Sequence, residues 1–204
     1  MKYVRLGIFV LGVCGSGVVA YADAFEDGLG AAKSGDFAMA HAKWQALAEQ
    51  GHVLAQFNLG IMYARGRGVT QDIAKALQWY HAAAKQGYAD AQLNLGVLYN
   101  SGQGVAQSYF EAAHWFRLAA EQGAAKAHFN LGLMHTHGRG VPQDYVLAYT
   151  CFTIAEAYGY DKAVEEGARL ERHLTTAQRE EAQTLAFGWR PGKPLPMRMS
   201  ASAR

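Results

Sequence analysis

The chain has 204 residues, half of them hydrophobic, enough for one domain or one short array with a sizeable core. Twenty-three glycines against four prolines favour helices punctuated by glycine over a sandwich or barrel. Two cysteines exclude a disulfide framework, and a net charge of +2 with no concentrated basic face argues against nucleic acid as the partner.

Residues 1–22 have the pattern of a secretory signal peptide. The start MKYVR carries two positive charges, Leu6 to Ala20 are uncharged, and Ala20-Tyr21-Ala22 makes an A-x-A exit. Fifteen helical residues reach about 22 Å, short of the roughly 30 Å of a bilayer's hydrocarbon core, which disfavours a membrane anchor. Contact with the membrane is thus expected only in transit, with cleavage near Ala22 and a periplasmic or secreted location. Leu11-Gly-Val-Cys14 offers a lipoprotein alternative, disfavoured by the valine directly before the cysteine. Cleavage after Ala22 leaves Cys151 as the sole cysteine, and in an oxidising compartment such a thiol is safest buried. The body, 23–189, holds 13 basic and 17 acidic residues, while the end carries Arg190, Lys193, Arg198 and Arg204 without an acid.

The chain repeats. Asn-Leu-Gly occurs at 58–60, 94–96 and 130–132, a spacing of 36 residues both times. Units 53–88, 89–124 and 125–160 superpose in register: Gly66, Gly102 and Gly138, then Gly68, Gly104 and Gly140, then Ala76, Ala112 and Ala148. Each unit predicts two helices. The first, near 54–64, puts Ala55, Leu59, Met62 and Tyr63 on one face and ends at a glycine suited to a left-handed cap. Asp72, Ser108 and Asp144 are placed to N-cap the second helix, whose stripe is Ala76, Tyr80 and Ala83 in the first unit. Residues 23–52 form a shortened N-terminal capping unit that keeps Ala40, Trp44, Leu47 and Gly51 in register. Residues 161–188 supply C-terminal capping helices, with Ala163 in register and a Thr175/Gln178 capping box. Residues 189–204, with three prolines and no periodicity, read as a disordered basic tail.

The pattern A-x-x-N-L-G-x-x-[YH]-x-x-G-x-G-V-x-Q, followed by A-x-x-x-[YF]-x-x-A, resembles the Sel-one-like repeat (SLR) family, relatives of the tetratricopeptide repeats. The resemblance implies an all-α, right-handed α-solenoid of stacked helix hairpins, about five pairs including caps, that binds proteins or peptides on its inner face. Some secreted members are disulfide-rich and linked to penicillin binding or β-lactam hydrolysis; their paired cysteines are missing here.

Several stretches suggest chemistry in isolation. Gly-Arg-Gly at 138–140 has the glycine spacing of a phosphate loop, but no strand precedes it and no Gly-Lys-Ser/Thr follows, so it predicts an inter-helix turn. His135 stands in the column of Tyr63 and Tyr99, and His137 in that of Arg65 and Ser101. Two residues apart on a helix, they point to different sides and predict no metal site. Cys151 shares its column with Trp79 and Trp115 and is expected to be a buried, inert thiol; Glu165 and Glu166 read as a solvated face. No catalytic constellation and no cofactor motif stands out. The repeated polar column Asn58, Asn94 and Asn130 is different. In tetratricopeptide repeats the matching position lines the groove, and an amide can both donate to and accept from an extended peptide. The same helix face carries Leu54, Ile61 and Arg65, then Asp90, Val97 and Ser101, then Lys126, Leu133 and His137. These twelve residues are the candidate partner-binding set. An internal role, with the asparagines bonding a neighbouring helix or loop, stays open. The reading is an exported interaction module for a protein or peptide partner. The alternatives are a cell-wall or β-lactam hydrolase and an assembly factor docking through its outer face or basic tail.

Overall fold

The computed structural model describes residues 17–196, with side chains from Asp23 onward. Cys14 and most of the expected signal peptide lie outside the described residues, as do residues 197–204. Ten α-helices and no strands are found among the described residues: α1 (Gly17–Ser34), α2 (Phe37–Glu49), α3 (Val53–Arg65), α4 (Ile73–Lys85), α5 (Ala89–Ser101), α6 (Tyr109–Glu121), α7 (Ala125–His137), α8 (Tyr145–Ala157), α9 (Lys162–Glu171) and α10 (Thr176–Gly188). None is long and apolar enough to cross a membrane.

Several helices begin or end where local chemistry directs. Asp72 and Ser108 accept from the backbone N–H of Lys75 and Glu111, and Asp144 accepts from Val146 and Leu147. At the other end of the hairpins' first helices, Gly66, Gly102 and Gly138 are left-handed at φ 64–71°. The expected capping box at Thr175 and Gln178 is formed.

From α1 to α9 each helix packs against the next, so the chain is an α-solenoid. Within each hairpin the first helix brings a glycine against an aromatic ring of the second: Gly60 on Tyr80, Gly96 on Phe116 and Gly132 on Phe152. Alanines 76, 83, 112, 119, 148 and 155 are fully buried and let the backbones approach. A second repeated device closes the outer seam. Gln86 Nε2 donates to Gln56 Oε1, and Gln56 in turn donates to the Ala48 carbonyl; Gln122, Gln92 and Ala84 repeat the chain one unit on.

Two features differ from the expectation. The helix α10 packs on α8, where the Thr150 hydroxyl donates to the Ala182 carbonyl, rather than forming a close hairpin with α9. The described part of the expected disordered tail, 189–196, is folded back on the array. Trp189 is 4% exposed, its ring lies edge-on to His128 at 4.7 Å, and its indole N–H donates to the Lys193 carbonyl. The Gly192 N–H donates to the Glu121 carbonyl. The prolines shape this strap; burial of Trp189 and Leu195 holds it down.

Candidate functional site

The face carrying the asparagine column forms two clefts along α3, α5 and α7. The larger, about 340 Å³, joins Ile61 and Arg65 of α3 to Asp90, Asn94 and Val97 of α5 and Lys126 of α7. Its floor is apolar, with Phe57, Leu93 and Tyr80 beneath and the charges of Arg65, Asp90 and Lys126 on the walls. The smaller, about 120 Å³, joins Asn130, Leu133 and His137 of α7 to Asn100 and to Arg139 in the following turn. The sequence column therefore converges in space because residues three and four apart on a helix share a face and a 36-residue unit repeats that face.

The twelve candidates do not all behave alike. Leu54 is 39% and Val97 45% exposed, large apolar side chains left on the surface. The three asparagines are half-buried. Asn94 hydrogen-bonds the Tyr80 side chain, and Asn130 Nδ2 donates to the Lys126 carbonyl one turn back, leaving its amide oxygen to accept elsewhere. Burial pushes the Tyr80 hydroxyl up to about 12, offset in part by the Arg65 charge and the Asn94 bond, so it stays a neutral donor at the cleft floor. Ser101 turns its hydroxyl to the Leu98 carbonyl; it, Leu54 and Asn58 line neither cleft.

The histidine pair separates as its spacing demands. His137 is exposed at the edge of the smaller cleft, whereas His135 is on another side of α7 with Nδ1 at 3.1 Å from the Pro142 carbonyl. Burial lowers the His135 pKa. Cys151 is 6% exposed, and burial with the nearby Asp144 charge pushes its thiol up to about 12, so the thiolate is scarce at neutral pH.

The repeat units decide the family. Sel1 repeats match residues 53–88, 89–123 and 125–157, half of the chain. The chain belongs to the Sel1 repeat family. Among solved structures it is similar to a Sel1 repeat protein from Oxalobacter formigenes, at 33% identity over 70% of this chain and 59% of that one, with a TM-score of 0.67. It is also similar to a protective antigen present in uropathogenic Escherichia coli strains that displays an SLR fold. There the identity is 27% over 81% of this chain and 44% of that one, with a TM-score of 0.57. The chain thus spans less than two thirds of either solved protein. Among curated proteins none matches it. Sel1 repeat solenoids are in general non-enzymatic scaffolds, and the fold supports a protein–protein interaction module.

Within this Sel1 repeat array, sequence reading assigned Tyr80 to the packing stripe alone and passed over Phe57 and Leu93. A signal was present: the residue before each asparagine is a large apolar one, Phe57, Leu93 and Phe129. A polar column flanked by a constant apolar one is what a groove with a greasy floor requires.

Proposed function

We propose that the chain is an exported adaptor that holds an extended segment of a partner protein along the concave face of α3, α5 and α7. The observation that carries this reading is the larger cleft, where four helices bring an amide, a buried hydroxyl, three charges and exposed Val97 around one apolar floor. The Asn94 amide and Tyr80 hydroxyl bond the partner's backbone, and the apolar floor takes one side chain. Arg65 and Lys126 against Asp90 select its neighbours by charge. A Val97-sized patch contributes little affinity alone, so several contacts along the column must add. Export rests on the signal-peptide pattern of residues 1–22, and sequencing the mature N-terminus in the native host checks it by finding Asp23 or Met1.

The binding test uses a photo-crosslinker at Val97 and, as a control, at Glu156, which is exposed on α8. A partner captured from position 97 and not from 156 should be lost in the Asn58→Ala/Asn94→Ala/Asn130→Ala variant and in Arg65→Glu, both retaining the helical circular dichroism signal. Equal capture by these variants, or global unfolding of the triple variant, would sink the assignment of the asparagines to binding.

A further inference from the structure

The third repeat departs from the other two at one junction. Cys151 stands where the earlier units carry Trp79 and Trp115, and His135 where they carry Tyr63 and Tyr99. In the second unit those columns form an aromatic cluster: the Trp115 ring stands edge-on to His81 at 5.3 Å, and His81 Nε2 lies 3.2 Å from the Tyr99 hydroxyl. One unit on, the His81 column is Arg117. Arg117, His135 and Cys151 duly meet, but with no large ring among them, and they line a cavity of about 390 Å³. Leu131, Val141 and Leu147 give it an apolar wall.

Replacing Trp and Tyr by Cys and His is a large-to-small change that close-packed interiors resist, because lining atoms lose their partners. Here the neighbouring helices have not closed in. Instead Pro194, Leu195 and Pro196 lie across the opening, with Leu195 packed against the cluster that contains Cys151 and Met134. The strap is anchored ahead of the roof, by the Gly192 N–H to the Glu121 carbonyl and by buried Trp189. It roofs the space without filling it. The cavity is mostly apolar, with Arg117, Glu121, His135 and Thr150 as its polar lining, and its size lies in the range of small-ligand sites.

We infer that this roofed cavity binds one indole-sized aromatic ring, at the place where Trp115 stands in the preceding unit. Trp115 shows that a ring of that size fits the same backbone. Arg117 stands at the column of His81, whose ring meets Trp115 edge-on, and His135 stands at that of Tyr99, so both line the space the ring would occupy. The ring's source is either a free aromatic molecule or a tryptophan presented by a partner. The site is independent of the proposed groove, because His135 and Leu131 lie about 150° around α7 from Asn130, Leu133 and His137.

The full chain is titrated with indole and, separately, with N-acetyltryptophanamide, following ligand and protein NMR signals. Saturable one-to-one binding with a dissociation constant of about 1 mM or tighter is expected for indole. Binding of indole alone identifies a free aromatic molecule; binding of both identifies a presented side chain. Cys151→Trp, which restores the residue of the other units and fills the space, should weaken indole at least tenfold with an unchanged helical signal. His135→Tyr should also weaken it, and serves where Cys151→Trp misfolds. Absence of saturable binding by either probe, or undiminished binding in a folded variant, overturns the inference.

Discussion

Gly60→Ala is the sharpest test of how the hairpins are built. A Cβ at Gly60 would stand 2.5 Å from both Tyr80 Cδ1 and Cε1, whereas carbon atoms at rest keep about 3.5–4.0 Å. The ring must therefore retreat by about 1 Å. It has little freedom to do so, being 4% exposed and packed 5.8 Å from the Phe57 ring. Overpacking of this kind costs about 1–3 kcal/mol, and a shift beyond one methylene's worth puts it at the upper end. Against that, alanine is better than glycine inside a helix by about 1 kcal/mol. The net expectation is a loss of about 2 kcal/mol, or about 4–8 °C in Tm for a chain of this size. The control is Gly30→Ala on α1, where a Cβ meets nothing within 4 Å; there the helix preference acts alone and stability should rise by up to about 1 kcal/mol. Urea titrations followed by circular dichroism read both variants. If Gly60→Ala is as stable as the parent, or gains as Gly30→Ala does, the close approach of glycine to ring is not what sets the hairpin spacing. Because Tyr80 also bonds Asn94, the same substitution should weaken partner capture at Val97.

Two further expectations concern the C-terminal half. His128 is fully buried, and burial holds its pKa near 4 against about 6.5 in an unfolded chain. As pH falls from about 6.5 to 4 the unfolded state takes a proton that the native state refuses, so up to about 3 kcal/mol of stability present at neutral pH is lost over that window. His128→Gln, the residue found in the other two units, should flatten the decline between pH 7 and 4.5, with a residual slope from His41, His52, His81 and His135, whose pKa values burial also lowers; an unaltered decline refutes this. Trp189→Ala removes a ring packed on His128 and Tyr158 and should cost about 3 kcal/mol. It should also release the strap, speeding amide hydrogen exchange at Gly192, whose N–H donates to the Glu121 carbonyl. Unchanged exchange at Gly192 would mean that the strap does not depend on the indole.

The repeat made most of this architecture legible before any coordinates. A glycine that must be left-handed, such as Gly66, and a short acceptor such as Asp72 mark helix ends by local chemistry, and recurrence every 36 residues carries the rule down the chain. That Asn94, Ile61, Arg65, Asp90, Val97 and Lys126 line one cleft follows from the same logic, since they share one face by register alone. Where partners are distant in sequence, the reading failed. Residues 189–196 look unstructured by composition, and their order depends on Glu121, His128 and Ile154, which local pattern does not connect to them. The departures at His128 and Cys151 were visible as columns broken in the third unit. That the strap meets both is a fact of three-dimensional packing.

The strap also makes the two ends of the array unequal. An array whose members touch only their neighbours frays from whichever end is held least. At the N-terminal side, α1 packs on α2 and α2 on α3. At the other side α10 lies on α8, and Trp189 to Leu195 ties the end of α6 to α7 and α8 like a stitch through three layers. Opening therefore has a direction: the first hairpin peels away while the last three helices and the roofed cavity hold, and the asparagine face is lost from Asn58 toward Asn130.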